Sequence, residues 1–123
     1  MADIAAAFAN AMLDAGIALL NGGTIELQTA GGTEVATGTL NATASAGSAS
    51  GGSVTFAAIT KDDSCAGGGP ITKAILKTSG AASLIRATAA ESAAEITLDN
   101  DTPTAGIDVY FSSLTMSMTV TAL

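Results

Sequence analysis

The sequence predicts a mainly β fold: an antiparallel β-sandwich or barrel-like sheet structure carrying one N-terminal α-helix. Three observations lead there. Apolar residues recur at helical spacing only over residues 3–21. From Gly23 onward the period drops to two, and short alternating runs are punctuated by Gly, Asn, Asp and Pro at the spacing of strand–turn–strand folds. Aromatics make up only 3% of the 123 residues, so small and β-branched side chains must fill whatever core forms. With no internal repeat and no linker, residues 1–123 read as one domain of roughly seven or eight strands.

The helix is predicted over residues 3–21. Asp3 has the side chain for an N-cap, and its charge suits the helix dipole. Ile4, Phe8, Met12, Ala15 and Leu19 form one apolar stripe, and Asn21-Gly22-Gly23 supplies the stop. The sheet region is predicted over residues 24–121. Thr24–Thr29 points Ile25 and Leu27 to one face, and Ala30-Gly31-Gly32 turns the chain into a returning strand, Thr33–Leu40. Asn41–Gly52 is low-complexity and lacks a large side chain, so it reads as an exposed, mobile loop. Ser53–Thr60 resumes as a strand with Val54 and Phe56 on one face, and Lys61–Pro70 is turn-rich. Ile71–Lys77 and Ala82–Ala87 form a second hairpin about Ser79-Gly80, and Ala94–Asp99 alternates with Ile96 and Leu98 inward.

The final segment, Ile107–Val120, is expected to be the longest strand. Ile107, Val109 and Phe111 are apolar at odd positions, whereas Leu114, Met116, Met118 and Val120 are apolar at even ones. A strand in register cannot change parity, because a slip of one residue moves every side chain to the other face. The economical remedy is a β-bulge at Ser112-Ser113, which would also bend the strand; the alternative is burial on both faces, or departure from one sheet into another.

Composition narrows function by exclusion. The chain has no histidine, the one side chain whose unperturbed pKa lies near neutrality, and no tryptophan. Net charge is −7, and Lys61, Lys73, Lys77 and Arg86 are too few for a basic face, so nucleic acid is not an expected partner. The apolar start, Met1–Leu20, has no basic leader and is interrupted by Asn10 and Asp14, so neither a signal peptide nor a membrane span is expected. Cys65 stands alone, which forbids an internal disulfide. A mean hydropathy of +0.48 with few charges points instead to apolar surface that meets other subunits.

Each cluster with possible chemistry has a plainer structural reading. Asp62-Asp63 and Asp99-Asn100-Asp101 have oxygen ligands for calcium, but the twelve-residue D-x-D-x-D-G loop is absent and Asp and Asn favour turns in any case. Gly67-Gly68-Gly69-Pro70 lacks the Lys and the following helix of a phosphate loop and reads as a flexible loop. Cys65 has no histidine to take its proton. The hydroxyls of Thr97, Ser112, Ser113, Thr115, Ser117 and Thr119 sit in no nucleophile elbow and read as solvent-facing strand residues, as does Thr121. No catalytic residue, cofactor-binding residue or metal ligand is assigned, no cofactor is expected, and the chain is read as a non-enzyme.

The order of segments resembles a family of small structural proteins of tailed bacteriophages and prophages. The resemblance lies in the helix Phe8-Ala9-Asn10-Ala11-Met12-Leu13-Asp14-Ala15 running into Leu20-Asn21-Gly22-Gly23-Thr24-Ile25-Glu26-Leu27. It continues in Ile96-Thr97-Leu98-Asp99-Asn100, in Ile107 and Val109 after Gly106, and in the Ser112–Thr119 strand; Thr39-Leu40, Ala58–Thr60 and Ile75-Leu76-Lys77 stand where middle strands fall. It implies a virion structural protein, first of all a capsid decoration or cement protein on the outer head surface, made in the host cytoplasm. Its implied partners are itself, as a homotrimer, and the major capsid protein. A tail, connector or fibre component is the alternative, and a carbohydrate- or cell-binding module is a further one. The expected contact elements are the helix stripe, the loop Asn41–Gly52 and the edge of the final strand.

Overall fold

The computed structural model describes residues 3–92 and 94–123; Met1, Ala2 and Ala93 lie outside it. The chain runs α1 (Ala6–Ala18), β1 (Thr24–Gln28), β2 (Glu34–Thr39), β3 (Ser53–Thr55), β4 (Lys73–Lys77), β5 (Ser83–Ala90), β6 (Ile96–Thr97) and β7 (Thr115–Ser117). The fold is mainly β with one N-terminal helix, and its sheet curls into a half-barrel. Five strands in the order β2-β1-β4-β5-β6 form that sheet, and β3 and β7 form a separate two-stranded ribbon.

Pairing is antiparallel except between β5 and β6, where Ala89 and Ala90 run parallel to Ile96 and Thr97. The link, residues 91–95, is far shorter than the dozen or more residues that a parallel crossover takes. Only two residue pairs have to match, and the link is pinned at once: Glu95 accepts the Thr88 N–H at 2.9 Å and donates its own N–H to the Thr88 hydroxyl at 3.0 Å.

Alternation places the core as expected. Ile25 and Leu27 of β1, Ala74 and Leu76 of β4, and Ile96 of β6 are all buried on one face. A bulge in β2 opposite Leu27/Gln28 adds one departure, turning the consecutive Val35 and Ala36 both inward. The helix closes one side of this core, yet not with the stripe that sequence periodicity singles out. Its buried positions are Ala9, Leu13 and Ile17, followed by Leu20, whereas Phe8 and Leu19 stay 59% and 62% exposed. The helix is apolar nearly all round, so two stripes satisfy the same spacing, and only the packed one shows which faces the sheet. It also begins later than Asp3: Ala5 occupies the N-cap position and no side chain caps the helix.

The loop Asn41–Gly52 is not the free segment expected from its composition. Ala44 is buried, and three backbone N–H groups of the loop are taken by side chains of the helix and its exit. Ala44 donates to Asn21 Oδ1 at 2.8 Å, Ala49 to Asp14 Oδ1 at 2.7 Å and Gly52 to Asn10 Oδ1 at 2.9 Å. The polar residues that interrupt the apolar helix are therefore anchors for a loop dozens of positions away. Replacing Asn10 and Asp14 together by alanine is expected to cost about 1–3 kcal/mol and to speed proteolytic nicking within 41–52, read by urea unfolding and limited proteolysis.

The last segment resolves its parity conflict by changing sheets, not by the expected bulge at Ser112-Ser113. Val109 bridges Asp62 and Phe111 bridges Leu98, beside the end of β6; after Ser112 the chain crosses over, and β7 pairs with β3 instead. Ile107–Val120 is thus no continuous strand, and Ile107 is exposed. A bridge between Thr39 and Thr60 joins the far edge, so hydrogen bonding passes from β2 through residues 60–62 and 109–111 to Leu98. That seam ties the outer strands of the sheet together at one side, whereas β5 and β7 stay apart at another.

Candidate docking cleft

A concave surface lies in the gap between β5 and β7. At one end Met12, Leu19, Leu84, Ile85, Met116 and Met118 line a space of about 360 Å³. It continues into a second space of about 320 Å³ between Ile85–Ala87 of β5 and Leu114–Met118 around β7, with Leu13 of the helix shared by both. The far end opens beside Lys73, Arg86, Thr88 and Glu95.

The strand geometry explains why the cleft exists. β5 bonds β4 along one edge, but only its last residues, Ala89 and Ala90, meet β6 on the other. The ribbon β3-β7 has its β3 side covered by the loop 41–52, through Ser50–Ser53 and Ala46–Thr55 backbone bonds, and its β7 side uncovered among the described residues. Two strand edges thus flank one apolar floor. Leu84, 45% exposed, lies at a bulge of β5 opposite Leu76/Lys77, which carries it to the rim beside Leu19.

Charge is distributed unevenly about this cleft. Two ion pairs occur among the described residues. Lys77 pairs with Glu26 on the outer face of the sheet, and Lys61 meets Asp108 at 2.6 Å. Lys73 and Arg86, the other two cations, make no ion pair among the described residues and stand together at the polar end of the cleft. Glu95 is close by, but its Oε1 accepts from both the N–H and the hydroxyl of Thr88.

The Lys77 hydrogen bond, opposed by partial burial and helped by Gln28, holds the Glu26 carboxyl below its ordinary pKa. Its stabilisation is present in full above the ordinary carboxylate range and fades as pH falls through the depressed value. Lys77→Met is accordingly expected to lose about 1 kcal/mol at pH 7 and progressively less in acid, measured by urea unfolding across pH.

The residues with possible chemistry in the sequence do not converge. Asp62 caps turns, its two oxygens accepting the N–H groups of Thr37 at 2.8 Å and Ser64 at 3.0 Å. Asp99 accepts from the Tyr110 N–H at 3.2 Å and Asn100 from that of Thr102 at 2.9 Å. Lost hydration, and then hydrogen bonding with Glu91, hold the Asp101 carboxyl above its ordinary pKa. Among the described residues no three Asp, Glu, Cys or His side chains gather about one point. Cys65 is buried, with its thiol directed to the Thr104 carbonyl at 3.3 Å. The glycine run is a surface loop that meets the rest of the fold at Gly67 and Gly69. Gly67, at φ +82°, donates to the Val35 carbonyl, and a Cβ there would stand 2.4 Å from the Ala105 nitrogen. Thr115 and Ser117 do face outward, each hydroxyl meeting a partner on β3, Thr55 and Ser53.

No family model, curated protein or solved structure matches the chain. Among the described residues, no helix is long and apolar enough to cross a membrane. The cleft was only partly visible in the sequence. Its helix stripe and final-strand edge were expected contact elements, but Leu84, Ile85 and Arg86 read as ordinary strand residues. The one available signal was the adjacent pair Leu84-Ile85, which breaks the alternation of β5.

Proposed function

We propose that this chain is a non-catalytic structural subunit that docks on a larger protein assembly, specifically a decoration protein on the outer surface of a tailed-phage head. The observation that carries the docking reading is the apolar cleft whose rim leaves Leu19 and Leu84 in water. Large side chains exposed side by side are normally covered by another protein. The assignment to a phage head rests on the sequence resemblance: its Gly22-Gly23-Thr24 element is the exit from α1 into β1, and its Leu98-Asp99-Asn100 element the turn after β6. The work done there is mechanical. A subunit that binds only the assembled lattice raises the free energy needed to pull that lattice apart.

Mixing the purified protein with expanded, DNA-free heads tests this. Saturable co-sedimentation at a lattice-set ratio, with heads that survive higher temperature, is the expected result. Heads that stay bare while tails carry the protein would move it to the tail. Sedimentation equilibrium reads the expected homotrimer. A sugar-binding role finds less support: the exposed Tyr110 ring already has Lys61 Nζ 5.3 Å from its centroid, so one face is occupied.

A further inference from the structure

We propose that the cleft accepts an extended segment of a different protein chain, added as a strand between β5 and β7, with acidic residues at the end near Lys73 and Arg86. This deepens the docking reading above and rests on it. The direction of the main chain carries the argument. Ala89 of β5 donates to the Thr72 carbonyl at 3.2 Å, on the β4 side. Backbone polar groups alternate sides along an antiparallel strand, so those of Arg86 and Thr88 point away from β4. Glu95 takes the Thr88 N–H, and the Arg86 N–H has no partner among the described residues.

The same parity holds across the cleft. Phe56 donates to the Leu114 carbonyl and Met118 to the Gly52 carbonyl, each at 2.8 Å, so the even positions bond β3. Thr115 and Ser117 therefore turn their N–H and C=O groups toward the gap. An added strand would pair with the outward groups of Arg86 on one side and of Thr115 and Ser117 on the other, and lay alternate side chains on the floor of Leu13, Ile85, Met116 and Met118.

Charge selects the occupant. In a chain of net charge −7, the two cations without an ion pair among the described residues stand at one end of this cleft with the single carboxylate of Glu95, whose Oε1 is turned to Thr88; the local balance of two positive charges against one negative favours an acidic segment. A second copy is a poor source. The acidic strand segments of this chain, around Glu26 and Glu95, are already paired within its own sheet.

The probe is a labelled eight-residue peptide of alternating valine and threonine ending in two glutamates, read by fluorescence anisotropy with the full chain. Binding is expected, with slowed amide exchange at Arg86, Thr115 and Ser117. It is expected to weaken about tenfold when lysines replace the glutamates or with Arg86→Glu, and to vanish when alternate peptide nitrogens are methylated. Ser117→Pro, which removes an outward N–H, is expected to abolish binding while circular dichroism stays unchanged. Equal binding of the methylated peptide, no effect of Arg86→Glu, or slowed exchange away from these edges would overturn the proposal. So would self-association through the cleft that the peptide cannot displace. Head binding without peptide binding would sink strand addition alone, whereas peptide binding with bare heads would sink only the head assignment.

Discussion

Gly23→Ala is expected to lower the unfolding free energy by about 3 kcal/mol or more. The helix exit approaches β4 so closely that a Cβ at position 23 would lie 2.1 Å from the Lys77 carbonyl oxygen and 3.0 Å from that of Leu20. Neither neighbour is a side-chain tip that can swing away. Both are main chain, and Gly23 also donates its N–H to Leu20 and accepts the Leu40 N–H through its carbonyl, each at 2.9 Å. Relief would need the helix to lift from the sheet or β1 and β4 to part, in a region where Leu20, Ile25 and Leu76 are packed without solvent contact. Overpacking of this kind costs about 3 kcal/mol or more, a large share of a small domain's total stability. Urea unfolding followed by circular dichroism checks it. By contrast Gly16→Ala, with nothing within 4 Å of the new methyl, is expected to be neutral or to stabilise by up to about 1 kcal/mol.

The second large effect concerns binding and not folding. Leu19→Glu combined with Leu84→Glu is expected to reduce head binding at least about a hundredfold with little change in thermal stability. Both side chains already meet water, so the fold loses little when they become charged. A partner covering them would have to bury two added carboxylates against the apolar lining of Met12, Leu13, Met116 and Met118. Phe8→Glu is the matched control: it is equally exposed and on the same helix, but outside the cleft lining. Binding near wild type is expected from it. Loss with Phe8→Glu and not with the double variant would place the contact on the outer helix stripe instead.

Much of the architecture follows from residue order alone. Period-two alternation places Ile25, Leu27, Ile96 and Leu98 inward, and turn residues at 30–32 and 79–80 locate both hairpins. These features are local, because a strand's two faces and a turn's chemistry are written within a few neighbours. The parity change between Phe111 and Leu114 likewise announces a break, though not which of its remedies applies. Crossing from Leu98 to β3 wins because the partner ribbon waits there, which no local window contains.

What only the tertiary structure decided is whatever depends on residues far apart in the chain. The all-round apolar helix offers two equivalent stripes, and packing alone chose Ala9, Leu13 and Ile17 for the core, leaving Leu19 to the cleft. The loop 41–52 looks unanchored by composition, yet Asn10, Asp14 and Asn21 hold it over separations of 23 to 42 residues. The cleft itself is a matter of which strand edges go unpaired, and an edge is a property of the assembled sheet and never of one strand. The sequence by itself determined the helix, the two hairpins, the inward residues of β1 and β6 and the poverty of reactive groups. Tertiary pairing decided where the molecule was left open, since backbone hydrogen bonds and buried area are shared between segments that no short stretch of chain can see together.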